Sequence, residues 1–94
     1  MAEWKHIEGN NKGEIKLYTL STCVWCKKTK KLLAELGVAY DYLDVDQLDD
    51  KEGDRIESEE LKKWNKAGTY PTMVVNNKKA IINFKEDEIR AALS

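Results

Sequence analysis

The sequence predicts an α/β protein in which a mixed sheet of four strands is flanked by helices, and three features of the chain support this. Apolar and polar residues alternate over Glu14–Leu20, which is the pattern of a strand, and we expect it to be central. A segment with apolar residues at helical spacing follows it, and Val38–Val45 returns to the strand pattern. A strand, a helix and a strand with short links form a right-handed βαβ unit with a parallel pair of strands.

The first helix has a predicted start, a buried face and an end. We expect Thr22 to be its N-cap, because a threonine side chain can accept a free backbone N–H group. Gly37 is expected to end the helix, since glycine adopts the left-handed conformation needed there. One stripe at i, i+3, i+4 and i+7 should be buried: Thr29, Leu32, Leu33 and Leu36.

The second half of the chain predicts one helix, a hairpin and a last helix. Residues 47–60 are acidic and only weakly periodic, so we expect a helix that becomes regular toward Lys66 and stops at Gly68. A hairpin follows, with strands at Thr72–Val75 and Lys79–Ile82. Glu86–Leu93 is the closing helix, with acidic residues in its first turn. The predicted order is therefore β-α-β-α-β-β-α.

Residues 1–13 are predicted to be an N-terminal extension and residues 14–94 the folded domain. Two alternatives remain for the extension: a short edge strand containing Trp4 and Ile7, or a flexible leader. His6, the one histidine of the chain, is expected to be a surface residue.

Composition excludes several classes of function. With 41% hydrophobic and 35% charged residues, the chain suits a globular domain rather than a disordered one. No apolar run approaches the ~20 residues that a membrane-spanning helix needs, and the first residues lack the apolar core of a secretory signal. We therefore expect a cytoplasmic protein. A net charge of −1 argues against nonspecific binding to nucleic acid.

The two cysteines are the chemical centre of the sequence. Cys23 and Cys26 form a C-x-x-C pair between the first strand and the first helix. Unpaired N–H groups and the helix dipole favour a thiolate there, and Lys27 is the side-chain charge expected to be closest. In a cytosolic protein such a pair is usually catalytic or metal-binding, and beside a βαβ unit it indicates a thioredoxin-like redox motif. As a metal half-site it would need further ligands, and His6 is the only other candidate.

Two segments resemble the glutaredoxin branch of the thioredoxin superfamily. They are Cys23-Val24-Trp25-Cys26, followed by Lys27-Lys28, and Thr69-Tyr70-Pro71 about 45 residues further on. The resemblance covers residues 14–93 and implies a cis peptide bond before Pro71 and a redox-active Cys23–Cys26 disulfide. It also implies that Cys23 attacks a partner's disulfide and Cys26 resolves the mixed disulfide, so no bound organic cofactor is expected.

The chain departs from that family where glutathione would bind. Glutaredoxins that use glutathione have a Gly-Gly pair after the last strand, whereas the matching positions here are Ile81-Ile82. The family's lysine three residues before the first cysteine is replaced by Leu20. Asn83 precedes Phe84 and a lysine, which is closer to the glutaredoxin-like redoxins that serve ribonucleotide reductase, where a glycine stands in that position. Asparagine can replace glycine at positive φ.

The resemblance therefore implies a thiol–disulfide oxidoreductase acting as a monomer on protein disulfides, ribonucleotide reductase being one candidate. Candidate upstream reductants are a thioredoxin reductase, a ferredoxin-linked reductase and glutathione. Two alternatives remain: a glutathione-dependent glutaredoxin, and a metal or Fe–S cluster carrier in which Cys23 is a ligand. Besides the cysteines, the residues expected to bind substrate are Trp25, Lys27, Thr69, Tyr70, Pro71 and Asn83.

Overall fold

The computed structural model describes residues 4–93, which form a single mixed sheet with helices on both faces. The strands are β1 (Lys5–Ile7), β2 (Ile15–Thr19), β3 (Tyr40–Asp44), β4 (Thr72–Val75) and β5 (Lys79–Ile82). The helices are α1 (Val24–Leu36), α2 (Asp50–Arg55), α3 (Lys62–Trp64) and α4 (Glu86–Leu93). A 3₁₀ turn (Val45–Gln47) precedes α2, and a π-helical segment (Ile56–Leu61) joins α2 to α3. None of the helices within residues 4–93 has the length and apolar character that crossing a bilayer requires.

The sheet has five strands in the order β1-β3-β2-β4-β5, one more than the four predicted. The added strand is β1, which pairs antiparallel with β3, so the edge-strand alternative is the one that the structure adopts for residues 5–7. His6 lies on the surface of this strand, and its Nδ1 is 2.7 Å from Oδ1 of Asp41. Residues 1–3 of the predicted extension lie outside the described part of the chain.

The central position of β2 and the βαβ unit are confirmed. β2 runs parallel to β3 on one side and antiparallel to β4 on the other. Because α1 connects the parallel pair, the carboxyl ends of β2 and β3 meet at one edge of the sheet. The loop that carries Cys23 leaves the sheet at this edge.

Helix α1 has the predicted end, and its predicted stripe is buried except for Leu36, which is partly buried, but the predicted N-cap is wrong. Gly37 ends the helix with φ 67°, as expected for a left-handed cap. The N-cap is Cys23 rather than Thr22: its backbone is extended, and its sulfur accepts the N–H group of Cys26. A cap accepts the N–H group two or three residues ahead of it, so the helix start lies one residue later than threonine's preference suggested.

The second helix runs from Asp50 to Trp64, so it ends before Gly68, where the sequence predicted its stop. Asp49 caps it by accepting the N–H group of Glu52 at 2.8 Å. Ile56 and Leu61 are five residues apart and both completely buried. This spacing suits a π-helical turn rather than an α-helical one, because π-helices bond i to i+5. The wider turn interrupts the 3.6-residue period, and for this reason the α-helical period is weak in this part of the sequence.

The hairpin and the last helix have the predicted bounds. Asn76 and Asn77 both have φ of 54°, the conformation that a tight turn with two left-handed residues needs. α1 and α4 cover one face of the sheet around Leu17, Leu33, Met73, Ile81 and Ile89, among others. The second helix covers the other face around Tyr18, Leu43, Ile56, Leu61 and Val74, among others.

Candidate dithiol site

The two cysteines differ in exposure although they are only three residues apart. Both are free thiols; Cys23 is partly exposed, whereas Cys26 is 0% exposed in the first turn of α1. The backbone N–H of Cys26 donates to Sγ of Cys23 at 3.2 Å. The outer sulfur is thus open to a reaction partner and supported by a helix amide, while the inner sulfur is protected from solvent.

Burial determines the protonation state of the inner thiol. Desolvation is the main cause that raises the pKa of Cys26, to about 12, and a hydrogen bond to Cys23 contributes in the same direction. A backbone hydrogen bond from Leu20 and the charge of Lys30 act in the opposite direction. In the reduced protein Cys26 is therefore a neutral thiol at neutral pH.

An aspartate from the 3₁₀ turn holds the loop that precedes Cys23. Asp46 accepts the backbone N–H of Ser21 at 2.8 Å and its hydroxyl at 2.6 Å. These bonds lower the pKa of Asp46, and Gln47 donates to the same serine at 3.0 Å. No role was predicted for Asp46, because nothing in the local pattern shows that the chain returns to Ser21.

The peptide bond between Tyr70 and Pro71 is cis, as the resemblance implied. It defines the cis-proline segment, Thr69-Tyr70-Pro71. The pKa of the Tyr70 phenol is raised chiefly by burial and also by the hydrogen bond that it donates to Glu57 at 2.8 Å. Thr72, directly after Pro71, pairs with Tyr18 near the carboxyl end of β2. The cis-proline segment and the loop that carries Cys23 therefore lie at the same edge of the sheet.

Asn83 lies beside the same segment and has the predicted positive φ, at 66°. Its N–H donates to the carbonyl of Pro71 at 2.8 Å, and its side-chain oxygen accepts the hydroxyl of Thr69 at 3.2 Å. Ile81 and Ile82, at the positions of the family's Gly-Gly pair, belong to strand β5, and Ile81 is only 2% exposed.

Asn65 is a component of the site that the sequence did not indicate. It is 2% exposed, and its Nδ2 donates to the carbonyl and hydroxyl oxygens of Thr69 and to the hydroxyl of Thr72. Its Oδ1 accepts the N–H group of Ala67 at 3.1 Å. One side chain thus connects the end of the second helix to both sides of the cis-proline segment.

Trp25 forms an exposed aromatic surface next to Cys23. It is 54% exposed and stacks on Phe84, with ring centroids 5.9 Å apart. Nζ of Lys28 lies 4.4 Å from the centre of the Trp25 ring.

Lys27 was predicted to be the charge closest to the cysteines, but its side chain is exposed. The lysine whose charge lowers the pKa of Cys26 is Lys30. Lys30 is four residues after Cys26 and so lies on the same side of the helix, whereas the adjacent Lys27 does not.

Tyr18, in the central strand, gives the fold a predicted dependence on alkaline pH. Burial and then a 2.9 Å hydrogen bond to Glu60 raise its pKa above the ordinary value of 10.0. The folded protein binds this proton more tightly, so the stabilisation is complete below about pH 10 and is lost as the pH rises further. Between about pH 10 and 11 we expect the unfolding free energy of the wild type to fall more steeply than that of Tyr18→Phe, by up to about 1.4 kcal/mol per pH unit.

Urea denaturation of the reduced proteins at both pH values measures this difference. Groups present in both proteins contribute equally to the pH dependence of the unfolding free energy, so their contributions cancel in the comparison. Equal slopes would show that Tyr18 titrates alike in the folded and unfolded states.

Among residues 4–93, no group of three or more His, Cys, Asp or Glu side chains is arranged to hold a metal ion. The arrangement consists of a dithiol at a helix start, a cis-proline segment beside it and a mixed sheet beneath. Together these features define a redox protein of the thioredoxin-like fold class.

Comparisons with known proteins define the family. The family model described as glutaredoxin matches residues 15–81. A glutaredoxin-like 8.6 kDa protein in the rubredoxin operon of Clostridium pasteurianum is 35% identical over 75 residues, which cover 80% of this chain and 91% of that protein. The chain belongs to the glutaredoxin family.

Two solved structures from Methanosarcina species are similar along nearly the whole chain. Methanoredoxin of Methanosarcina acetivorans is 46% identical with a TM-score of 0.86, over 92% of this chain and 90% of that one. The glutaredoxin of Methanosarcina mazei Go1 is 48% identical with a TM-score of 0.87, over 97% of this chain and 87% of that one. The chain is thus a glutaredoxin-like redox protein, and its thioredoxin-like fold is confirmed.

Proposed function

We propose that this chain is a dithiol–disulfide oxidoreductase that reduces disulfides in partner proteins. Cys23 is the nucleophile and Cys26 the resolving thiol. The observation that carries this proposal is the contrast in exposure between the two cysteines: Cys23 is partly exposed and its Sγ accepts the backbone N–H of Cys26 at 3.2 Å, whereas Cys26 is 0% exposed. An exchange reaction needs one sulfur that a partner can reach and a second that only the first can reach.

In the first step, Sγ of Cys23 attacks one sulfur of the partner's disulfide. The partner's S–S bond breaks, a mixed disulfide with Cys23 forms, and the other partner sulfur leaves as a thiolate that takes a proton from water. The amide of Cys26 points at the attacking sulfur, and the position at the N-terminus of α1 favours negative charge there.

In the second step, Cys26 loses its proton to water and attacks Sγ of Cys23. The Cys23–Cys26 disulfide forms and the second partner sulfur leaves as a thiolate. Two electrons have then passed from the protein to the partner, and an external reductant must restore the dithiol. No bound organic cofactor takes part in these steps.

The surface around Cys23 supports a protein substrate rather than a small one. Val24 and Trp25 are 62% and 54% exposed, and aromatic side chains of this kind are frequent anchors in protein interfaces. Tyr70, just before the cis-proline, offers backbone groups to an extended segment of the partner. We assign Lys27, Thr69 and Asn83 to the same binding surface.

Replacing Trp25 by alanine is expected to raise KM for a protein disulfide about threefold to tenfold, because an exposed aromatic anchor contributes about 1 kcal/mol or somewhat more. The rate with a small aromatic disulfide should stay within about twofold, since the cysteines are unchanged. Steady-state kinetics on both substrates test this, with Trp25→Phe as the variant that retains a ring. If both substrates were affected equally, Trp25 would act by covering the resolving thiol instead.

The physiological reductant is identified by supplying the oxidised protein with each candidate in turn. The candidates are glutathione, a thioredoxin reductase with its nucleotide, and a ferredoxin-linked reductase, and the readout is the return of two free thiols per chain. We propose that an enzyme reductase is preferred over glutathione. The positions of the family's Gly-Gly pair are occupied by Ile81 and Ile82 of strand β5, and the carbonyl oxygen of Pro71 already accepts the N–H of Asn83. Rapid reduction by glutathione alone would contradict this ranking.

A further inference from the structure

Lys30 differs from the other lysines of α1 in both position and burial. It lies four residues after Cys26, which places the two side chains on the same side of the helix, one turn apart. Lys27, Lys28 and Lys31 are exposed, whereas the Lys30 side chain is only 25% exposed. Lys30 therefore lies between the helix and the sheet rather than in open solvent.

Two groups of the sheet hold the ammonium of Lys30 in place. Its Nζ is 3.3 Å from Oδ1 of Asp44, at the end of β3, and 3.9 Å from the centre of the Tyr42 ring. The same Asp44 oxygen accepts the hydroxyl of Thr19, which is completely buried at the end of β2. An ion pair and a ring contact together give this lysine a defined position one helical turn from the resolving sulfur.

The charged and titratable groups that face Cys26 come from four elements. Cys23 is the N-cap of α1, Lys30 belongs to α1, and Tyr70 belongs to the cis-proline segment. Behind these lie Asp44 of β3, paired with Lys30, and Asp46 of the 3₁₀ turn, whose charge acts on Tyr70. Lys30 is the cation of this set.

The balance of these groups changes during the reaction. In the reduced protein, burial is the main cause that raises the pKa of Cys26, and the hydrogen bond to Cys23 and its charge contribute as well. Once Cys23 is bound in a mixed disulfide it has no charge, and its sulfur is at most a weak acceptor. The N–H of Leu20 and the charge of Lys30 still lower the pKa of Cys26 against the effect of burial, at the stage when Cys26 must lose its proton.

We propose that Lys30 assists the second chemical step, its ammonium group stabilising the Cys26 thiolate as it forms and attacks the mixed disulfide. Lys30 neither gives nor takes a proton: the Cys26 proton goes to water, the Cys23–Cys26 bond forms, and the partner sulfur leaves with the electron pair of the broken bond. This role rests on the proposed function, since it concerns the resolving step of that same reaction.

Stopped-flow mixing with an aromatic disulfide whose free thiolate is coloured tests this role, because it separates the two steps. The first equivalent of coloured thiolate reports attack by Cys23, and the second reports resolution by Cys26. We expect Lys30→Met to slow the second phase about threefold to tenfold near neutral pH and to move its pH profile to higher pH, because one partly exposed charge shifts a neighbouring pKa by up to about one unit. The first phase should change by less than about twofold.

Three further variants distinguish an electrostatic role from a structural one. Lys30→Arg keeps the charge and should retain the wild-type second phase within about twofold, and Lys31→Met, an exposed lysine of the same helix, is the matched control. Asp44→Asn removes the paired negative charge, so the second phase should not become slower. A Lys30→Met protein with normal resolution, or equal slowing in Asp44→Asn or Lys31→Met, would overturn the inference. Absence of the first phase in the wild type would instead contradict the proposed function.

Discussion

Cys23→Ser is expected to reduce exchange with a protein disulfide to the background level, a loss of at least about 10³-fold. A serine hydroxyl is not ionised near neutral pH and is a poor nucleophile toward sulfur, and Cys26 is 0% exposed and cannot reach a protein partner. The measurement is the rate of reduction of a protein disulfide by the pre-reduced variant. Folding should be unaffected, because serine is also a good N-cap and can still accept the N–H of Cys26.

Cys26→Ser provides the complementary result. This variant should react through Cys23 and then stop, so that a stable mixed disulfide with the partner accumulates. Non-reducing electrophoresis and mass spectrometry of the linked peptides identify the sulfur involved. If the mixed disulfide formed through Cys26 in Cys23→Ser, and none formed in Cys26→Ser, the two roles would be reversed.

Asn65→Ala is expected to lower the unfolding free energy by about 2–4 kcal/mol, because it removes several hydrogen bonds at once in a buried site. The lost amide is the donor to Thr69 and Thr72 and the acceptor for Ala67, so partner groups are left without it. Because Thr69 precedes the cis-proline, the same change should raise KM for a protein disulfide. The reaction of Cys23 with a small alkylating reagent should change little, since the hydrogen bonds of Asn65 go to Thr69, Thr72 and Ala67 rather than to the cysteines.

Chemical denaturation and steady-state kinetics measure the two effects, with Lys66→Ala as the matched control. Lys66 is adjacent to Asn65 in the chain but exposed, so its replacement should change stability by no more than about 0.5 kcal/mol. An Asn65→Ala protein that loses stability but keeps its KM would show that this asparagine supports the fold alone.

Regular local patterns made much of the fold predictable. The hairpin, the last helix and the end of α1 each depend on residues close together in sequence: two asparagines at positive φ, acidic residues in a first turn, and Gly37 as a cap. The second helix was less predictable because its π-helical segment places Ile56 and Leu61 on the buried side with a spacing that a search for the α-helical period does not detect.

The chemistry of the site was likewise visible where it is local. Cys23 and Cys26 stand out as a pair at a helix start, and the resemblance to glutaredoxins implied the cis-proline. Asn65, Asp46 and Lys30 were missed because each contributes through a residue far away in the chain or on another element. An asparagine after a helix, an aspartate in an acidic stretch and one lysine among four have no distinctive local pattern, so only the tertiary structure distinguishes them.

The two edge strands of the sheet affect how readily this protein pairs with strands of other chains. β1 has three residues, including Lys5 and His6, and β5 has four, beginning with Lys79 directly after Lys78. Short, cationic borders of this kind discourage a foreign strand from extending a sheet, which is how natural proteins avoid aggregation. If the chain binds extended segments of partner proteins, as proposed, these borders protect it from polymerising with them, and backbone pairing is left to the segment beside its sulfur atoms.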